Sequence, residues 1–183
     1  MYISRTTTAA ASGVLATSDL KDFLRVEHAL DDTLIGAIRD AAVRWVEDYL
    51  STFLGDVTAV GYLDSFRAEN FPIFPIQSIT NVKYYDTNGV QQTLSTDNYY
   101  FDVIRPPARI VFTNPPAVDT DRIGGVEITI VGGYLEAEIP GPITHAVKLV
   151  AAHFYENRAE EQRFVSHRLK LGVDSLLSQY RLF

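Results

Sequence analysis

Hydrophobic residues recur along this chain with two different periods, and the change of period divides it. From Asp31 or Asp32 to about Leu54, apolar side chains return at three- and four-residue spacing: Leu34, Ile35, Ile38, Ala41, Ala42, Trp45, Val46, Tyr49, Leu50 and Phe53. That spacing predicts a long helix with a wide apolar stripe along its whole length. An aspartate caps its start, and Gly55 stands where a helix stop is expected. A shorter helix is predicted ahead of it, Asp19 to Val26, capped by Ser18 and apolar on the side of Leu20, Phe23 and Leu24. A third helix opens at Pro142, a residue suited to a first helical turn, and runs to about Glu161. Its buried face is Ile143, Ala146, Val147, Val150, Ala151, Phe154 and Tyr155.

Between the long helix and the closing helix, at about 57–135, the pattern becomes alternating and β-branched. Val57 to Ala68 supplies one strand. Pro72 and Pro75 give the segment after it an extended, edge-like character. Ile79 to Asp86 and Val90 to Leu94 flank Asn88-Gly89, a strong hairpin signal. Tyr99 to Ile104 and Arg109 to Phe112 form a second antiparallel pair joined through Pro106-Pro107. In Val126 to Val131, Val126, Ile128 and Ile130 alternate with Glu127, Thr129 and Val131. The expected fold class is therefore α+β: a mainly helical core of short, long and closing helices, an inserted antiparallel β module, and an extended C-terminal tail. The expected organisation is a flexible arm at 1–17, the main domain at 18–171 and a docking tail at 172–183.

That tail, LGVDSLLSQYRLF, is the least ordinary stretch. Chain ends are usually polar and loose, whereas large apolar groups left exposed in a run mark an interaction site. It is expected to dock into a partner or a neighbouring copy.

Composition narrows the partners. The 183 residues are 46% hydrophobic and 21% charged, with no cysteine and a net charge of −7. Disulfides and thiolate chemistry are excluded, and no basic cluster offers a phosphate-binding surface. No stretch approaches the roughly 20 apolar residues of a membrane span. The start of the chain lacks the continuous apolar run of a signal peptide.

No catalytic or metal-binding pattern in the sequence is complete. His145 and His153 lie eight residues apart, about 12 Å along a helix, too far for one ion. The adjacent pairs Asp31-Asp32 and Glu160-Glu161 do not face each other on a helix. Asp86, Asn88, Asp97 and Asn98 lack calcium-loop spacing and read as turn residues. The Gly-Gly pairs at 124–125 and 132–133 do not match a phosphate-binding loop, and Ser166-His167 has no third group to support it. Trp45 and Tyr49 read as helix packing rather than a cofactor stack. No enzyme, metal or cofactor is expected.

Taken in order, the segments LRV, WVEDYL, FPIFPIQSITNVKYYDTNGVQQTL, VEITIVGGY, IPGPITHAVKLVAAHFYENR and GVDSLLSQYRLF resemble the head–tail connector (adaptor) proteins of long-tailed phages and related gene-transfer particles. The resemblance spans about residues 18–183, and AAHFYENR followed by GVDSLLSQYR is its most specific part. It implies a structural virion protein of the neck, forming a ring of commonly twelve copies beneath the portal protein. It further implies a stopper or tail-completion protein on the other side, and DNA passing through the channel without sequence-specific binding. On this basis Val173, Leu176, Leu177, Tyr180, Leu182 and Phe183 would dock to the portal, and deleting 172–183 would leave the helical core folded. The mixed-charge stretch of Glu156, Arg158, Glu160, Glu161, Arg163 and Arg168 reads equally as a solvated helix end or as an ion-pair network between ring subunits. The competing reading is another neck or tail-completion module, such as a tail terminator.

Overall fold

The computed structural model describes residues 1–6, 11–135, 138–157 and 166–181; of 166–171, and of Arg5, it describes the backbone alone. The chain divides into two units, one of residues Met1–Thr8 and Asp56–Gly133, the other of Ala9–Gly55 and Tyr134–Phe183.

The first unit is built of strands, with one 3-10 turn at Thr96–Asn98. A five-stranded antiparallel sheet has the order β1-β2-β8-β4-β5, from Tyr2–Arg5, Val57–Leu63, Val126–Gly132, Ile76–Tyr85 and Gln91–Thr93. A second sheet, β3-β7-β6, is built from Glu69–Asn70, Arg109–Phe112 and Tyr99–Asp102. The last strand in sequence, β8, lies between β2 and β4, and alternation explains why. Val126, Ile128 and Ile130 point to one face and meet Leu63, Gly61 and Ala59 of β2 in register. Gly61 leaves room for the Met1 side chain: a Cβ there would lie 3.0 Å from the Met1 sulfur. Phe66 joins the two sheets, edge-on to Tyr84 of β4 at 5.4 Å and to Phe112 of β7 at 5.0 Å.

The hairpin at Asn88-Gly89 forms as the sequence predicts. Lys83, Tyr84 and Tyr85 pair with Thr93, Gln92 and Gln91, and Gly89 takes a φ of 76°. The Asp86 carboxylate accepts the N–H groups of Asn88 and Val90 at 2.9 and 3.1 Å, which holds this carboxyl below the ordinary carboxylate range.

The expected flexible arm at 1–17 is corrected. Tyr2–Arg5 pairs with β2 as an edge strand, and Ala11–Val14 forms a short helix, α1, whose Val14 is buried. Residues 7–10 lie outside the description. Tyr2 and Ile3 satisfy their backbone groups through a strand more than fifty residues away, a long-range pairing that local composition does not reveal.

The second unit is helical: α2 at Thr17–Leu24, α3 at Asp32–Leu50, α4 at Gly141–Glu156 and α5 at Ser166–Leu177, with α1. Ser18 lies inside the first turn of α2 rather than at its cap, which is Ala16. The α3 helix ends four residues before the expected Leu54. Ser51 turns left-handed, with φ 53°, and closes the helix where Gly55 was expected to.

Glu47 explains that early stop. Its backbone carbonyl accepts the Thr52 N–H at 3.0 Å, and its carboxylate accepts the Leu54 N–H at 2.9 Å. The chain leaving the helix thus bonds back to it. Glu47 is buried, with Arg44 at 3.3 Å. Burial raises its pKa above the ordinary value, offset in part by the Leu54 N–H and Arg44.

Glu47→Ala should cost about 1–3 kcal/mol, because the Leu54 N–H loses its acceptor. Glu47→Gln, which keeps an acceptor oxygen, should cost less. A raised folded pKa means that this group's contribution is fully present below the unfolded value and is lost as pH rises through the folded one. The stability of the parent protein relative to Glu47→Gln should therefore fall as pH rises above the ordinary glutamate range, as read by urea unfolding.

Candidate docking segment

The core of the helical unit gathers Leu20 of α2, Ile35, Ile38, Ala42, Val46 and Leu50 of α3, and Ile143, Ala146, Val147, Val150 and Ala151 of α4. To these it adds Val173 and Leu177 of α5, both fully buried. Four residues separate Val173 from Leu177, one helical turn, so both side chains face the same way.

This corrects the expected extended tail. Residues 166–177 are helical, and Ser178–Tyr180 continue as a 3-10 turn. The stretch from Gly172 to Leu177 was legible as apolar, but its spacing is that of a helix facing a core. Two of the six expected docking residues therefore belong to this chain's own interior. Leu176 is half-buried, and Tyr180 packs partly buried against the same core. Leu182 and Phe183 lie outside the described residues.

Polar contacts hold this end in place. The Tyr49 hydroxyl donates to the Asp174 carboxylate at 2.7 Å, tying α3 to α5. That bond, followed by burial, raises the Tyr49 pKa above its ordinary value. The Arg181 guanidinium lies 5.5 Å from the centre of the Tyr49 ring, within cation–π range. On its other flank Tyr49 stacks on Trp45, with centroids 5.4 Å apart and planes 11° from parallel. Tyr134 is also held above its ordinary pKa, by burial and then by the nearby Tyr180 hydroxyl. Sequence reading missed this Tyr49–Asp174–Arg181 cluster. The partners are 125 residues apart, and no local spacing links them.

Of the expected subunit-contact residues, Glu156 ends α4 exposed. Arg158, Glu160, Glu161 and Arg163 lie outside the described residues, and Arg168 is described only as backbone in α5. The closing helix stops at Glu156, not near Glu161, where the Asn157 side chain folds back to donate to the His153 carbonyl at 2.9 Å.

His145, His153, Asp31 and Asp32 have structural partners. Phe23 meets His145 edge-on at 6.0 Å, and the His153 Nδ1 lies 3.0 Å from the Asn157 amide nitrogen. The Tyr155 hydroxyl donates to Asp31 at 2.7 Å, and Lys21 pairs with Asp32. Among the described residues no group of three or more His, Cys, Asp or Glu is placed to hold a metal ion, and no helix is long and apolar enough to cross a membrane.

No protein-family model matches the chain, and no curated protein does. Solved structures do. The fold is similar to a chain in the neck of an empty gene transfer agent (GTA) particle computed with C6 symmetry, with a TM-score of 0.82 and 20% identity over 100% of this chain and 96% of that one. A chain in the virion of a native GTA particle matches at 0.80 and 20% identity, with the same coverage. A chain in the neck of a native GTA particle computed with C12 symmetry matches at 0.78 and 19% identity, again over 100% and 96%. At these identities the likeness establishes a shared fold across the whole chain.

Leu177→Ala should destabilise the protein by about 2–5 kcal/mol, the range for emptying a buried leucine site. Leu176→Ala, at the half-buried neighbour, should cost less than half as much. Denaturant unfolding of the two variants side by side distinguishes a core helix from a tail resting loosely on the surface, for which both losses would be small.

Proposed function

We propose that this chain is a structural subunit of the neck of a phage-like particle, an adaptor that forms a ring between a portal protein and the next neck component. The observation that carries the reading is a fold match without remainder: both units, across 100% of the chain, have counterparts in chains from GTA particle necks. The order of segments quoted above supports the adaptor assignment within that class. The necks computed with C6 and C12 symmetry support a homo-oligomeric ring, and twelve copies is the number the adaptor reading favours. In this reading the protein works in the virion neck. Its partners are the portal, a stopper or tail-completion protein and further copies of itself, and DNA passes through the ring.

The physics of attachment follows from repetition. A short apolar segment that orders on docking loses conformational entropy and binds weakly alone. Copies fixed on one ring offset that loss through effective concentration. The net charge of −7 suits a conduit that does not retain phosphates.

The burial of Val173 and Leu177 divides the docking segment in two. These two side chains anchor α5, leaving Leu176, Tyr180, Leu182 and Phe183 as the residues available to the portal. Deleting 172–183 would therefore remove part of the helical core, and it is not a clean test of docking.

A chain ending at Arg181, which keeps the Arg181–Tyr49 contact, should fold with nearly the parent's melting temperature and fail to join portal-bearing heads. Electron microscopy of particles assembled with it should show full heads and separate tails. Heads that carry the shortened protein would overturn the docking role. Normal virions after removal of the whole gene would overturn the neck role, including the alternative of a tail terminator.

A further inference from the structure

We propose that the outward flank of α3 is the face through which one copy of this chain meets the next, with Trp45 as its anchor. The inference rests on the ring reading above and names the surface that reading requires.

The buried side of α3 runs through Ile35, Ile38, Ala42, Val46 and Leu50. A second set lies off that side: Leu34, Ala37, Ala41 and Trp45, which fall within about 80° of one another around the helix. All four are exposed, Leu34 at 37% and Trp45 at 39%, and Leu30 in the turn leading into the helix is 90% exposed. The stripe predicted from sequence is thus wider than the core that α3 serves. Its excess faces outward along the helix.

The two ends of this flank are large and its middle is small. Ala37 and Ala41 let another helix approach closely, and side chains at spacings of three and four residues are what a facing helix reads. Trp45 is fixed before any partner arrives. It stacks on Tyr49, and the Tyr49 hydroxyl is bonded to Asp174. A large aromatic already held in one orientation loses little freedom on binding, which is the usual character of an interface hot spot.

Charge argues for the occupant. Asp40, Arg44 and Asp48 border the flank, each more than half exposed, and their signs alternate. Two aspartates against one arginine disfavour a nucleic acid. A mixed-sign border suits a second copy of the same acidic chain, whose long-range repulsion must be offset locally. A closed ring also requires every subunit to repeat one contact with its neighbour, and chains of this fold stand in necks computed with C6 and C12 symmetry.

The test uses the full-length chain in assembled particles. With p-benzoylphenylalanine in place of Ala41, irradiation should yield a cross-linked dimer of this chain, and peptide mapping should return two segments of this one sequence. Ala41→Arg, at an exposed helical position, should keep the parent's melting temperature and lose ring formation. Trp45→Ala should weaken association by at least roughly 30-fold, the effect of a hot-spot residue. Cross-links to a different protein alone, or Ala41→Arg rings that form like the parent's, would overturn the inference and leave the ring reading standing. If the unmodified chain forms no ring in particles that contain it, the ring reading fails and the inference with it.

Discussion

Burial of Val173 and Leu177 in the core shared with α3 and α4 is what closes the helical unit. Without α5, the apolar surface of α4 that packs against it would face water. The unit has no disulfide to hold it, since the chain has no cysteine, so it relies on burying that surface. The Tyr49–Asp174 hydrogen bond and the Arg181–Tyr49 contact add direction to this seal. Hydrophobic burial alone would leave the rotation of α5 about its axis loosely set, and a phenol–carboxylate bond fixes it.

The β unit is organised by a different constraint. Its central strand, β8, must satisfy β2 on one side and β4 on the other, and strict alternation from Val126 to Gly132 gives it one apolar face for both. The register against β2 is unbroken. Against β4 it shifts twice, between Ile76 and Ser78 and between Ile79 and Asn81. At the second irregularity the Asn81 side-chain oxygen is buried without a hydrogen-bond partner among the described residues. The irregularities let Ile79 and Val82 both pair with the β8 isoleucines, Ile130 and Ile128, although three residues separate them.

The parts legible in the sequence were those whose cause is local. Helical periodicity located α3 and α4, and Asn88-Gly89 located the hairpin. Alternation located β8. The α+β class followed from these alone. What the sequence hid was set by distant partners. The strand β1 is a strand because β2 offers it an edge. The two-residue β3 exists because β7 lies beside it. The end of α3 is set by Glu47 reaching forward to Leu54, and not by the glycine that a stop rule selects. In the docking segment, the apolar character of residues 173–180 was legible, but its destination was not. Three- and four-residue spacing says that Val173, Leu176, Leu177 and Tyr180 share a helix side. It does not say whether that side meets the same chain or another one.

That ambiguity reflects a real economy in how the chain uses apolar residues. Leu176 and Leu177 are consecutive, so a helix points them about 100° apart. One is committed to the core and the other is only half covered. The same division occurs in α3, where Ala41 and Ala42, and then Trp45 and Val46, split between outside and inside. Leu34 and Trp45 stay exposed although they are large and apolar, and Leu176 is only partly covered. Tyr49 links the two divided helices. It stacks on outward Trp45 and bonds to Asp174, three residues before buried Leu177. One residue of α3 thus touches both the outward flank of its own helix and the buried end of α5.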